Sequence, residues 1–163
     1  MLSLHWIRDA FRGLPSNPIE GVIYFADDDN TYSLDLFEEM RKTTKVAVWP
    51  VGLVVGLMPE RPKVANGKVV GWDVSRAATQ PFAIDLAGFA VIVKHFLSRT
   101  KAKFAYQVKR GHQESEFLRH LVDELEPMAD DCTKVLVWHT RSEKVDLRQE
   151  TKRSQKSDHG IEV

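Results

Sequence analysis

The chain has a single cysteine, Cys132, no net charge and no long apolar run, and each scarcity removes a class of protein. One thiol forms no internal disulfide and builds no zinc site of several thiolates, while it leaves the redox compartment open. Lys+Arg 23 balance Asp+Glu 23, so the basic excess with which nucleic-acid binders neutralise phosphates is missing, and no nucleic acid is expected as a partner. No segment approaches the roughly 20 apolar residues of a membrane span. The opening "MLSLHWIRDAFRGLPSNP" is an amphipathic stretch broken by prolines, not a signal peptide. No Asn-x-Ser/Thr sequon marks a secretory route. What remains is a soluble chain of 163 residues, 43% hydrophobic, which is enough for one ordinary domain with a core.

Strand and helix signals alternate along it. Leu4, Trp6, Ile7 and Phe11 fall near one helical face, which the 13–18 stretch terminates. A strand is expected at 21–26. Ser33 can cap a helix through "LDLFEEMRKTT", with Asp35 in its first turn and Arg41 and Lys42 in its last, as the helix dipole favours. "KVAVWPVGLVVG" reads as a buried strand in which Pro50 demands a bulge or an edge. Asn66 and Gly67 lead into "GKVVGWDV" as the turn of a hairpin. "PFAIDLAGFAVIVKHFL" is strand then helix, "SEFLRHLVDEL" puts Phe117, Leu118, Leu121, Val122 and Leu125 on one helical face, and "KVLVWHT" is a last buried strand. The polar "LRQETKRSQKSDHGIEV" offers too little burial to offset the entropy of ordering, so it is expected to be a tail unless a partner holds it. The fold class is α/β, a mixed sheet flanked by helices.

Chemistry concentrates in "VIYFADDDNTYSLDLFEEM", an apolar strand running into three aspartates. Adjacent carboxylates repel unless something positive sits among them. Along an extended strand Asp27 and Asp29 would share one side and Asp28 the other. That makes a D-x-D pair at a strand's carboxyl end, where open α/β sheets place ligands, and hard oxygen donors suit Mg²⁺ or Mn²⁺. The plainer reading is that the acids cap the next helix in solvent. The strand leading in favours the metal.

"GVIYFADDDNTYSLDLFEEMR", "VAVWPVGLV", "DLAGFAV", "RGHQES" and "VLVWHTR", in this order, resemble the β-1,3-glucuronyltransferases from about residue 20 to the terminal "IEV". These are inverting enzymes that move glucuronic acid from UDP-glucuronic acid to a terminal galactose. A D-x-D alone is a weak signal, whereas five ordered motifs are specific.

The resemblance implies the C-terminal portion of a GT-A type nucleotide-sugar glycosyltransferase fold. It makes Asp29 the principal Mn²⁺ ligand and lays Asp27 and Asp28 against the donor sugar. Glu114 matches the base that deprotonates the acceptor hydroxyl, so that a single displacement inverts the anomeric carbon. His139, Thr140 and Arg141 match the segment that meets the UDP phosphates; from the residues alone, His139 reads first as a strand-end histidine with a satisfied core partner. Glu60 and Asp85 match acceptor-sugar positions. Gln149 matches a tail residue that reaches the neighbouring subunit's acceptor site in a homodimer, against the plain reading of a solvated glutamine. Trp49 and Trp72 could stack on sugars, but tryptophans in β runs are ordinarily core.

Two departures stand out. An arginine usual before the "DxAGFA" segment is replaced by Gln80, with Arg76 four residues earlier, which leaves acceptor choice open between a proteoglycan linker and an N-acetyllactosamine-type end. The family's nucleotide-reading N-terminal half, stem and membrane anchor have no counterpart here, so the D-x-D strand is expected to leave an unpaired sheet edge. The expected organisation is a helix and linker at 1–20, a partial metal, diphosphate and acceptor domain at 21–145, and the polar tail at 146–163 with a possible dimer contact. A Golgi membrane location on the lumenal side follows from the resemblance alone. The alternatives are a truncated, non-catalytic product that keeps the acceptor and dimer surface, and a metal-dependent phosphohydrolase, for which no second motif supplies a nucleophile.

Overall fold

Short runs of β-branched residues, whose side chains alternate in direction, set up the centre of the molecule. The computed structural model describes residues 2–12, 20–75, 80–105, 107–140 and 144–163. Its first sheet has the order β1 (Val22–Tyr24), β7 (Phe89–Ile92), β3 (Val46–Val48), β8 (Glu126–Pro127), with β1 and β3 antiparallel to β7 and β8 parallel to β3. Ile23, Val46, Val48, Phe89 and Val91 turn one way, into a core shared with Leu4 of α1 (Leu2–Ala10), Phe96 of α3 (Val93–Ser98) and Phe117 of α4 (Gln113–Leu118). Tyr24, Ala47, Trp49 and Ala90 turn the other way, onto Leu36 and Met40 of α2 (Leu34–Arg41). Ser33 caps α2 as expected, its hydroxyl accepting from the Asp35 N–H at 3.2 Å. Trp6 departs from its expected face and is 70% exposed, because two residues' separation from Leu4 points it away from the helix's buried side.

The second sheet runs β2 (Asn30–Tyr32), β9 (Val137–His139), β4 (Val51–Gly52), β5 (Pro59–Ala65), β6 (Lys68–Asp73). The β5–β6 hairpin turns at Asn66 and Gly67, whose φ of 53° and 70° suit the tight turn expected there. "KVAVWPVGLVVG" is not one strand: β3 belongs to the first sheet and β4 to the second, and Trp49 and Pro50 carry the chain between them. Proline has no N–H to continue a ladder, so the chain changes sheets where the ladder must stop. The helix expected through 115–125 ends at Leu118, yet Phe117, Leu118, Leu121 and Leu125 are all buried, since looser turns keep them on the same side.

Between β8 and β9 the chain makes a left-handed turn in which Ala129, Asp130, Asp131 and Cys132 have φ of 55°, 57°, 51° and 60°. Such a conformation costs roughly 1–2 kcal/mol per residue. It is held by the Ala129 N–H donating to Glu39 Oε2 at 3.1 Å and by the buried Cys132 thiol against Val48 O at 3.5 Å. Burial pushes the Cys132 thiol up to about 12, so it stays protonated and its role is packing.

The C-terminal segment corrects the expectation of a tail that needs a partner. Glu150 accepts from Met58 N–H at 2.9 Å and Ser157 N–H at 3.1 Å, and Arg153 pairs with Asp73. Val135 N–H donates to Glu162 O at 2.8 Å, and Glu162 N–H to Thr133 O at 2.8 Å. Few apolar side chains are involved; directed polar contacts, invisible to a hydropathy argument, anchor the segment to its own chain.

Candidate active site

The aspartate triplet lies where β1 ends. Phe25 is still packed in the core, but Asp27, Asp28 and Asp29 are exposed, and Asp28 and Asp29 form the turn into β2. The alternation expected of an extended strand therefore stops before it reaches them, because β1 ends at Tyr24. The next strand fixes the triplet instead. Pairing of β2 with β9 sets Asn30 opposite His139. Thr140 consequently reaches back to the triplet, its hydroxyl donating to Asp29 O at 3.4 Å and lying 2.8 Å from that of Thr31. The Tyr32 hydroxyl donates to Asp27 O at 2.6 Å.

Asp85 is the hub. It precedes a 3-10 turn, Leu86–Gly88, and caps it through Oδ1, which accepts from the Ala87 N–H at 2.9 Å. Gly88 is required there, since a Cβ would come within 2.7 Å of the Ile84 side chain. The other carboxylate oxygen of Asp85, Oδ2, lies 3.1 Å from Nε2 of the largely buried His139. His139 thus has the internal partner that the residues alone suggested, and it also borders a cleft.

Two adjoining clefts meet at Asp85. One, of about 500 Å³, is lined by Glu60, Gln80, Asp85 and Glu114; the other, of about 660 Å³, by Asp85, His139, Thr140 and Gln149. The first cleft gathers Glu114 with three of the residues expected to hold an acceptor. The Glu114 carboxyl is pushed above the ordinary range by burial and then by the carboxylates of Asp85 and Asp27. Asp27, although its side chain is exposed at the surface, is raised by partial desolvation, reinforced by Asp85 and Asp29 and opposed by His139. Burial also raises Glu60, with Asp85 and Asp73 adding to it, while Ser75, whose N–H donates to Glu60 Oε1 at 2.8 Å, holds it back. These mutual shifts tie residues far apart in sequence into one acidic group.

Gln80 has a use that its sequence position did not indicate. Its Nε2 donates to Gly111 O at 2.6 Å, and its Oε1 accepts from the Ser115 hydroxyl at 3.3 Å. Both ends of the amide are spent on the backbone and side chain flanking Glu114. Trp49 is wholly buried, its Nε1 donating to Ala87 O at 2.9 Å, and Trp72 donates to Pro81 O at 3.0 Å; both are structural, as β-run tryptophans ordinarily are. Arg76 and Arg141 lie outside the described residues. Lys144, Arg148 and Lys152, which line the larger cleft, were missed by sequence reasoning; Arg148 and Lys152 sit in the segment read as a tail, and Lys144 just ahead of it carries no motif signal.

Among the described residues no three His, Cys, Asp or Glu side chains group closely enough to cage a metal by themselves. The carboxylate oxygens of Asp27, Asp28 and Asp29 are hard donors of the kind that Mg²⁺ or Mn²⁺ takes one or two at a time, with phosphate and water completing the shell.

Comparison with known proteins gives the setting for this geometry. A family model described as glycosyltransferase family 43 matches residues 1–143. Galactosylgalactosylxylosylprotein 3-beta-glucuronosyltransferase 2 of Homo sapiens is 57% identical over 152 residues, which cover 91% of this chain and 46% of that protein. The human enzyme named with the number 1 is 55% identical over 156 residues, 93% of this chain and 46% of the relative. Its Rattus norvegicus counterpart is 54% identical over the same span. The chain spans about half the length of the curated relatives it matches.

Proposed function

From the premise that the chain belongs to glycosyltransferase family 43, we propose that it carries the metal, diphosphate and acceptor side of an inverting glucuronyl transfer. The donor is UDP-glucuronic acid and the acceptor hydroxyl is the 3-hydroxyl of a terminal galactose. The relatives' names specify a galactosylgalactosylxylosyl-protein acceptor, which favours the proteoglycan linker over an N-acetyllactosamine-type end. The observation that carries the reading is the convergence of Glu114, Asp85, Glu60 and Gln80 on one cleft that meets the His139 and Thr140 cleft at Asp85.

Each residue has a task its environment suits. Glu114, held above its ordinary range by burial, is a stronger base when ionised than a solvated glutamate. It takes the proton from the galactose 3-hydroxyl as that oxygen bonds to the anomeric carbon and the bond from that carbon to the UDP oxygen breaks on the opposite face. No enzyme nucleophile intervenes, so the configuration inverts. Glu60 and Asp85 accept from the other acceptor hydroxyls. His139 and Thr140, with Arg141, meet the diphosphate, and Asp85 orients His139. Asp29 would be the chief ligand of a Mn²⁺ ion, with Asp27 and Asp28 beside the donor sugar, and such an ion would supply positive charge against the negative charge developing on UDP. Gln149 lines the cleft of its own chain, and the family homodimer would present the same residue to a neighbour. The lumenal side of the Golgi membrane completes the reading.

Calorimetric titration of UDP into the chain, with and without Mn²⁺ and repeated on Asp29→Ala, tests it. Binding is expected only with the metal and only in the unmutated chain. Metal-independent binding, or none to a folded protein, would sink the proposal.

A further inference from the structure

The loop between β4 and β5 holds its most awkward residue in its most exposed position. Val55 has φ of 46°, a left-handed conformation that is an outlier for a β-branched side chain, and it is nevertheless 55% exposed. Its neighbours explain how the conformation persists. Val54 and Leu57 are buried, Leu57 N–H donates to Val54 O at 3.0 Å, and Leu53 N–H donates to Met58 O at 2.7 Å. Glu150 clamps the loop from outside, its N–H on Gly56 O at 3.3 Å and its carboxylate on the Met58 N–H at 2.9 Å. A loop fixed on every side thrusts one apolar side chain outward at a cost in backbone energy, and burial does not recover that cost.

Location supplies the reason. Val55 lines both clefts, as do Val54 and the hub carboxylate Asp85. A pyranose ring presents hydroxyls at its edge and C–H groups on its faces. In galactose the axial 4-hydroxyl leaves the C3, C4 and C5 hydrogens together on one face, whereas in glucose the C4 hydrogen points to the other. Carboxylates that accept from hydroxyls, set beside one projecting isopropyl group, match that two-sided surface.

We infer that Val55 is a specificity-determining residue, an apolar platform for the C–H face of a terminal galactose, kept in place by strain that the loop's clamps sustain. The inference rests on the acceptor reading of the cleft and adds the residue that tells galactose from glucose.

Lactose and cellobiose differ only in the configuration at C4 of the terminal sugar, which makes them matched probes. Titration of each into the full chain, followed by NMR, is expected to show a preference for lactose. Val55→Gly and Val55→Asn, both at ease with positive φ, are expected to weaken lactose binding about fivefold through lost apolar contact and to narrow the preference. The same two variants should melt about 2 °C higher as strain is released. Val55→Ile, which keeps the apolar group, should retain the preference. Unchanged lactose affinity in Val55→Asn, or a lower melting temperature in both relaxed variants, overturns the role of Val55 while the acceptor reading stands. An unmutated chain that binds neither sugar overturns the acceptor reading, and this inference with it.

Discussion

Two clusters in this molecule, neighbours along the chain, are built on opposite principles. In one, Phe25, Phe89, Phe104 and Phe117 meet with ring centroids 4.6–6.1 Å apart, an arrangement that every member favours. In the other, Asp27, Asp85, Glu60 and Glu114 gather although desolvation and mutual repulsion raise Asp27, Glu60 and Glu114. The two are connected through the chain. Asp27 follows Phe25 by two residues, Asp85 precedes Phe89 by four, and Glu114 precedes Phe117 by three. The aromatic cluster thus acts as the fixed frame on which mutually repelling groups are mounted, and the stability lost in one is supplied by the other.

That relation can be broken most directly from the aromatic side. Phe117→Ala removes a fully buried ring that touches Phe25, Phe89, Phe96 and Phe104. A loss of about 4 kcal/mol in urea unfolding is expected. If stability hardly changes, the frame is not the ring cluster.

On the acidic side, Glu114→Gln should reduce glucuronyl transfer to a galactosylgalactose acceptor about a hundredfold or more while leaving Mn²⁺-dependent UDP binding intact. Equal loss of binding and transfer would assign Glu114 to donor binding instead of proton transfer.

Gln80→Ala sharpens the boundary between frame and site. As a brace on the Glu114 segment, Gln80 should affect turnover, with kcat falling about fivefold through misplacement of the base and acceptor KM little changed. A rise in KM alone would return it to direct acceptor binding.

The smallest effect is a stability gain with a defined pH window. Because the Glu114 carboxyl is raised in the folded chain, folding favours its protonated form. The destabilisation it causes is absent below the ordinary glutamate range, about pH 4, grows as pH rises from there to the raised value, and is constant above it. Glu114→Gln should therefore melt a few degrees higher than the unmutated chain at pH 7, and the two should converge in acid. A constant difference across pH would mean that packing, not charge, separates them.

Local signals were legible wherever they depended on neighbours in sequence. Ser33 as a cap, Asn66 and Gly67 as a turn, and the buried faces carrying Phe117 and Leu121 follow from spacing alone. The motifs that resemble a glucuronyltransferase were equally local, and the family match bears them out. Reading failed where a long-range contact decided the outcome. The Trp49 and Pro50 step between sheets depends on which partner strands are near, and the C-terminal segment depends on Glu150 finding Met58 and Ser157.

By itself, then, the sequence determined the family and the α/β class, because motifs and side-chain periodicity are properties of adjacent positions. Only the tertiary structure decided that Asp27, Glu60, Asp85 and Glu114 share one electrostatic environment and that Val55 stands strained between two clefts. Coulombic coupling and backbone strain depend on distances that chain spacing does not encode, and those distances are set by a core whose burial outweighs the repulsion it imposes.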